Sequence, residues 1–422
     1  MLPSPPDEIA VLLQRPVAVF GAGISGQGVL ALLAGIGGVG RLYDSAATDA
    51  ENQFDPEHAR RHGLVVFSPG FTPEHLWLAT ARAAGCVCLG ELDFASLFWR
   101  GQLIAVTGTN GKTTLTEFLT HALILAGRHA HMTGNIGYPF SRFVVEQSGR
   151  VEYAVCEVSS FQAETLRHFR PNVTFWTNFA EDHLERHAGM AAYFAAKARL
   201  LELTPPGPVF AGSSVPAFAA QLGQPLIGAA LVATTGQAAA PRLTGTVFGT
   251  YPQLENFLLA AAWWRQAGLP EAKLFEAARS FRLGEHRLAR VGERKGVTFW
   301  NDSKATNFHA AEAALATFTG PVHWIGGGKS KGGDLAGFVR RIADHVHHAY
   351  LIGETQPALA GYCLEAKVPM TPCGSLEEAV QTAFAKATVG EHILLSPGFA
   401  SFDMFRGYDD RGRQFESIVE KM

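Results

Sequence analysis

The sequence predicts an α/β protein of three domains built mainly on parallel strands. Three observations carry this expectation. A short apolar run at 16–20 (PVAVF) leads into the glycine turn GAGISG and then a helical stretch. The same order of strand, glycine loop and helix recurs at 103–127. Beyond it, strand-like runs alternate with helical segments, the pattern of parallel sheets with ligand sites at their carboxyl ends.

Taken in order, PVAVF reads as a buried strand, QGVLALLAG as a helix and the segment ending RLYD as a second strand. This opening is that of a Rossmann-like domain. LIAVT at 103–107 is the next strand, and TLTEFLTHALILAG places Leu115, Phe118, Leu119, Ala122, Leu125 and Ala126 at helical spacing, with Gly127 as its cap. Further strands are expected in YAVCEVSS (153–160), VTFWTNF (173–179), VHWIGGG (322–328), AYLIGE (349–354) and HILLSPG (392–398). The Ala-, Gly- and Pro-rich stretch near 211–245 has weak periodicity and receives no assignment. Boundaries near 96–101 and 282–286 divide the chain into 1–98, 99–283 and 284–422: a Rossmann-like domain, a P-loop-type ATPase domain and a second Rossmann-like domain.

The 422 residues carry a net charge of −3 and 47% apolar side chains. That balance supports packed cores and gives no electrostatic case for nucleic acid or an anionic membrane. The five cysteines, Cys86, Cys88, Cys156, Cys363 and Cys373, include no CxxC pair, so reduced thiols are expected. No apolar run approaches the roughly 20 residues of a spanning helix, and the N-terminus lacks the basic start of a signal peptide. A cytoplasmic, monomeric protein without membrane insertion is the expectation.

Chemistry concentrates in two glycine loops. Gly108, Thr109, Asn110, Gly111, Lys112, Thr113 and Thr114 form GTNGKTT between an apolar strand and a helix. Glycines let backbone N–H groups close around phosphate oxygens, the helix N-terminus favours anions, Lys112 supplies a cation, and the Thr113 hydroxyl can ligate Mg²⁺. Full Walker spacing would put glycine at 106, where Val106 stands, so the loop is shorter than that of GTPases and motors. The plain alternative is a glycine turn with a solvated lysine. Gly21, Gly23 and Gly26 form GxGxxG, with Asp44 ending the next strand. This fits a dinucleotide, a UDP-sugar or a purely structural turn. Glu157 ends a strand beside the expected ATP site, and its carboxylate oxygens suit magnesium.

More discriminating segments follow. Residues 301–307 read NDSKATN, and 394–405 read LLSPGFASFDMF, followed by RGYDDRGRQF. Together with GNIG (134–137), EVSSFQAE (157–164), NFAEDHLERH (178–187), YFAAKARL (193–200), VVFSPG and GELDF, they make the chain resemble the D-glutamate-adding Mur ligases over nearly its whole length. GTNGKTT alone is shared with other Mur ligases and folylpolyglutamate synthetases.

The resemblance implies an ATP-dependent amide ligase with Mg²⁺, two ions being expected. It would phosphorylate the carboxylate of UDP-N-acetylmuramoyl-L-alanine and pass the acyl group to D-glutamate. It further implies that Glu157 and His183 join in metal binding. Lys197, which as a helix lysine would otherwise be solvated, falls where the family carries a carbamylated lysine. Asp302 is implied as a ribose contact, Arg287 as a nucleotide contact and Asn256 as an adenine contact. A His-Asn pair usual before that asparagine is replaced by segments of YPQLEN. Lys331 is implied for the D-glutamate side-chain carboxylate, with Lys329 competing because the glycine spacing is altered. Thr306 and Ser401 would be hydroxyl donors to D-glutamate. Lys304 would lie near the reacting groups, and Tyr408 stands where phenylalanine is usual. Asn135 and Ser159 would touch the muramoyl-alanine part, Ser25 and Gly26 the UDP phosphates, and Asp44 the uridine. Among these, Lys112, His183, Lys197 and Lys304 are the catalytic candidates. Three rival readings stay open on the glycine loops alone: another amino-acid ligase of the same mechanism, an NAD-dependent oxidoreductase, and a non-catalytic nucleotide-binding regulator.

Overall fold

The computed structural model describes residues 2–204, 207–226 and 228–422. The described chain divides into two compact units. One holds the chain up to Phe179 with Ala191–Gly249 and Gln253–Phe281; the other holds Ala180–Met190, Thr250–Pro252 and Arg282–Met422.

The first unit contains two sheets. Strands β1 (Val17–Phe20), β2 (Gly40–Tyr43), β3 (Leu64–Phe67) and β4 (Val87–Gly90) form a parallel sheet in the order β2-β1-β3-β4. Strands β5 (Gln102–Thr107), β6 (Ala130–Gly134), β7 (Tyr153–Glu157), β8 (Val173–Trp176), β9 (Val209–Ala211) and β10 (Ala229–Leu231) form the second, in the order β10-β9-β8-β5-β7-β6. Every pair in it is parallel. The near-continuous apolar strands are what two-sided burial requires. One core joins the sheets: Val17, Val19, Leu64, Val66 and Leu89 pack in the same cluster as Leu103, Ala105, Ala154, Cys156 and the ring-rich Phe94, Phe98, Phe140 and Phe143.

The second unit is built on β11 (Ala289–Arg294), β12 (Val297–Asn301), β13 (Val322–Gly327), β14 (His348–Ile352), β15 (Met370–Pro372) and β16 (His392–Leu395), in the order β11-β12-β16-β13-β14-β15. Only β11 runs antiparallel to its neighbour. Helices cover both faces, one core gathering Phe308, Trp324, Phe338 and Leu351 and the other Phe299, Tyr350, Ile393 and Phe415. The five cysteines are buried and unpaired. No described helix is long and apolar enough to cross a membrane.

The expected strands start within a residue of their sequence assignment, but those at 153–160, 173–179 and 392–398 end three residues early, where their polar ends turn into loops. The unassigned stretch near 211–245 contributes the short β10 and a 3₁₀ turn at Pro241–Leu243, and Ile227 in it lies outside the described residues. The helix after GAGISG begins at Ile24, earlier than QGVLALLAG suggested, so Ser25 and Gly26 lie in its first turn. Only glycine fits at position 26, because a Cβ there would come 1.8 Å from the Gly21 carbonyl oxygen.

Candidate functional site

In the second sheet the chain leaves β5 for β6 and β7 on one side, then crosses to β8 on the other. A reversal of this kind opens a crevice at the strands' carboxyl ends. The loop Gly108–Gly111 occupies it, leading into the helix Lys112–Leu125. Gly108 (φ 143°) has no room for a side chain: a Cβ would stand 1.9 Å from Thr177 Oγ1. Asn178, following β8, grips the loop by accepting from Asn110 N (2.9 Å) and donating to Asn110 O (3.1 Å), and Thr177 donates to the same carbonyl (2.6 Å). Thr109 Oγ1 meets the Tyr193 hydroxyl at 3.2 Å, and Thr114 is buried at the start of the helix. Lys112 folds over its own loop, its Nζ donating to Gly108 O (3.1 Å) and Thr109 O (2.8 Å).

Glu157 closes β7, the strand beside β5, and is buried. It accepts from Thr113 Oγ1 (2.7 Å) and Asn135 Nδ2 (3.0 Å). A hydroxyl and a carboxylate meeting at a phosphate-type loop form a hard-oxygen donor set, the chemistry that suits Mg²⁺. Lys197, from the helix Met190–Glu202, is only 1% exposed. Its Nζ donates to Gly108 O (2.7 Å) and lies 4.8 Å from the Tyr193 ring centroid. The solvated-lysine alternative therefore does not describe it. Asn256 is buried against the loop, since a Cβ on Gly111 would reach its Oδ1 at 2.8 Å, and its Nδ2 donates to Gln253 (3.0 Å).

In the first sheet, Asp44 ties the end of β2 to the glycine turn by accepting from Ala22 N (2.8 Å) and from Ala46 N (2.9 Å). Those backbone donors, Ala22 foremost, hold its carboxyl below the usual range. Ser159 caps a short helix: its hydroxyl and backbone N–H both donate to Gln162 Oε1 at 3.0 Å. A second cleft here is lined by Phe67, Pro69, Glu91, Asp93, Phe161 and Gln162.

In the third sheet, β12, β16 and β13 are adjacent, and their carboxyl ends release NDSKATN, SPGFAS and GGKSKGG. Asp302 is buried, with Leu288 N–H (3.0 Å) and Ser396 Oγ (2.7 Å) donating to it. Burial pushes its carboxyl up to about 7 against those hydrogen bonds and the attraction of Arg287 and Arg411. Lys304 Nζ lies 3.7 Å over the Tyr408 ring, and Ser401 is buried in the following loop.

Thr306 and Lys331 line one narrow cleft with Glu181, Asp182, Asn307 and Phe399. Lys331 Nζ is 3.2 Å from Asp182 Oδ1, and Asn307 Nδ2 donates to the other oxygen at 2.9 Å. Burial opposes ionisation of Asp182, but Lys331, His183 and the two hydrogen bonds outweigh it and hold the carboxyl below its ordinary value. Lys329 is exposed, and its backbone pairs with Ala400, which leaves Lys331 as the cleft lysine. His183 (φ 56°) faces Asp182 (3.6 Å) and Glu185 (3.3 Å). Glu157 belongs to the first unit and His183 to the second.

Two residues of this region went unassigned in the sequence. Asp182 sits in a segment from which only His183 was taken. Arg411 is fully buried and donates to Ser303 Oγ (3.0 Å), Ser303 O (2.9 Å) and Phe399 O (3.2 Å), stitching NDSKATN to SPGFAS. Its signal was present: Arg411, Phe415 and Val419 recur at helical spacing, and all three are buried in the helix Tyr408–Glu420.

Comparison with known proteins decides among the ligases. Residues 106–221 match the Mur ligase middle domain, and 286–399 match the Mur ligase glutamate ligase domain. The UDP-N-acetylmuramoylalanine–D-glutamate ligase of Acidobacterium capsulatum is 35% identical over 385 residues, covering 85% of this chain and 83% of that one. The chain belongs to the UDP-N-acetylmuramoylalanine–D-glutamate ligase family. The ligase of the same name from Gloeobacter violaceus is 34% identical and covers 96% of this chain and 98% of its own. The MurF ligase of Thermotoga maritima in complex with ADP shares the fold, with a TM-score of 0.58 at 15% identity over 90% of this chain and 98% of that one. Membership makes this chain an ATP-dependent amide ligase of peptidoglycan synthesis and removes the oxidoreductase and regulator readings.

Proposed function

We propose that this D-glutamate ligase joins the amine of D-glutamate to the carboxyl of UDP-N-acetylmuramoyl-L-alanine through an acyl phosphate, acting as a cytoplasmic monomer. The observation that carries the reading is the phosphate loop at the carboxyl end of β5, with Thr113 and Glu157 joined beside it (2.7 Å).

Phosphoryl transfer to a carboxylate brings two anions together, so the site must align them and offset their charge. Backbone N–H groups of Gly108–Thr114 would cradle the ATP phosphates, and Lys112 would leave its carbonyl partners for the outer phosphates. Asp302 would receive the ribose, with Arg287 and Asn256 against the rest of the nucleotide. Two magnesium ions, held by Thr113, Glu157, His183 and Lys197, would supply further neutralising charge. Lys197 would serve as a carbamate, formed when its amine adds to CO₂ and releases a proton; its enclosure beside Gly108, at the phosphate loop, supports that assignment.

Ser25, Gly26 and Asp44 would hold the UDP moiety, and Asn135 and Ser159 the muramoyl-alanine part. The cleft of Thr306 and Lys331 would take D-glutamate, with Ser401, Lys304 and Tyr408 nearby. Its side-chain carboxylate would replace Asp182 as the Lys331 partner. The amine then attacks the acyl carbon, and phosphate leaves. The division 1–98, 99–283 and 284–422 assigns these tasks to a UDP-substrate domain, an ATP domain and an amino-acid domain.

A substrate panel tests the specificity. With ATP, Mg²⁺ and UDP-N-acetylmuramoyl-L-alanine present, phosphate release should respond to D-glutamate and not to L-alanine or meso-diaminopimelate, and folate should not replace the UDP acceptor. Release driven by another amino acid would refute it.

A further inference from the structure

At the opposite, amino ends of the third sheet lies a cluster that the ligase reaction does not use. His323 is the second residue of β13, His347 directly precedes β14, and Glu391 directly precedes β16. One donor atom from each lies within 4.8 Å of the others. His323 Nε2 and Glu391 Oε2 are 3.0 Å apart, and His323 is buried while His347 is exposed. We propose that His323, His347 and Glu391 form a binding site for a divalent transition-metal ion such as Zn²⁺, separate from the magnesium of the nucleotide.

Two imidazole nitrogens and one carboxylate oxygen form a set that prefers Zn²⁺, Co²⁺ or Ni²⁺ to Mg²⁺, which takes oxygen ligands. Bonds of about 2.0–2.2 Å to one ion place tetrahedral ligand atoms roughly 3.4 Å apart. The His323–Glu391 pair already stands near that separation, and exposed His347 has the rotamer freedom to close the third side. The ion would take the place of the direct His323–Glu391 contact. Both inner ligands are already held by neighbours, His323 through its far nitrogen and Glu391 at the same oxygen that faces His323. His323 Nδ1 meets the buried Tyr350 hydroxyl at 3.0 Å, and Glu391 Oε2 accepts from Thr388 N at 2.7 Å. Outer partners of this kind fix the ring and the carboxylate for a metal. The exposed His347 side leaves an entry path and a position for water. Strands of four to six residues put the site roughly 13–20 Å from the loops at their carboxyl ends, so the ion would pin the starts of three strands without touching reactants.

The test is calorimetric titration of metal-free, untagged full-length protein with Zn²⁺ in excess Mg²⁺, alongside His347→Ala and Glu391→Gln. The wild type should bind one ion that both substitutions weaken by about tenfold or more, with ligase activity in Mg²⁺ unchanged. Bound Co²⁺ should show visible d–d absorption that His347→Ala abolishes. The exposed His347 makes that variant a safe one for folding. No binding by the wild type, or binding that neither substitution weakens, would overturn the site.

Discussion

The ammonium of Lys197 donates to the carbonyl of Gly108 at 2.7 Å, within a pocket that leaves the lysine 1% exposed. A carbamate formed on a lysine so enclosed would set a carboxylate-like group beside the phosphate loop, where a hard oxygen donor suits magnesium. Protein equilibrated with ¹³C-bicarbonate should give a carbamate carbon signal that Lys197→Ala lacks. Activity should fall in CO₂-depleted buffer and return with bicarbonate. Full activity with no carbamate signal would rule the modification out.

Lys112→Ala tests whether ATP and the UDP acceptor are held by separate regions. Phosphate release should fall on the order of 10³-fold, the scale for losing one preorganised charge donor. Affinity for the UDP acceptor should stay within about threefold, since its expected UDP contacts, Ser25, Gly26 and Asp44, belong to the first sheet's glycine turn and Lys112 is expected to touch only ATP. Calorimetry of the acceptor against the variant measures this, and parallel loss of both would contradict the assignment.

The altered glycine spacing left two lysines for D-glutamate; Lys331 lines the cleft with Asp182, and Lys329 is exposed. Lys331→Ala should raise the KM for D-glutamate at least tenfold with the KM for ATP little changed, whereas Lys329→Ala should change neither by more than about threefold. Steady-state kinetics with each substrate varied in turn distinguish the outcomes. A larger effect at Lys329 would move the amino-acid site.

What the sequence made legible, and what it did not, follows from where its signals lie. β1, β5 and β13 are apolar runs that end in or lead into glycine, so these strands and the loops after them could be read directly. β6 (AHMTG) and β10 (AAL) carry no such run and are held by pairing with neighbours, which local pattern does not encode. The metal and lysine candidates were found through motif matches, but their environments were not. Nothing in FAAKAR says that Lys197 is buried, because its flanking alanines suit either face of a helix. The Lys331–Asp182 pair joins residues 149 apart in sequence and is visible only in three dimensions.

Arg411 should be a structural requirement. Its guanidinium, enclosed and held down to about 10 by burial, donates to both C-terminal motif loops. Arg411→Lys cannot reproduce the planar fork and would leave buried carbonyls without donors, at about 2–4 kcal/mol. Denaturant unfolding followed by tryptophan fluorescence would register this as a lower midpoint at unchanged slope. A loss below about 0.5 kcal/mol would deny the stitching role.

Asp302 gives the protein a pH signature. Its folded-state value, raised to about 7 by burial, exceeds the ordinary 3.8, so the folded chain holds a proton that the unfolded chain releases. Its stabilising contribution is whole below about pH 4 and is lost as pH rises to about 7, by up to about 4 kcal/mol. Asp302→Asn should flatten the stability profile in that window. A wild-type profile that the substitution leaves unaltered would contradict the assignment.

Activation of a carboxyl group by phosphate is tested most directly with ¹⁸O in the terminal carboxylate of UDP-N-acetylmuramoyl-L-alanine. If that carboxylate takes the γ-phosphoryl group and D-glutamate then displaces phosphate, each phosphate released with product carries one ¹⁸O from the acceptor. Mass spectrometry of the released phosphate should show that label in step with amide formation. Unlabelled phosphate alongside product would mean that ATP was cleaved by water and would contradict the account.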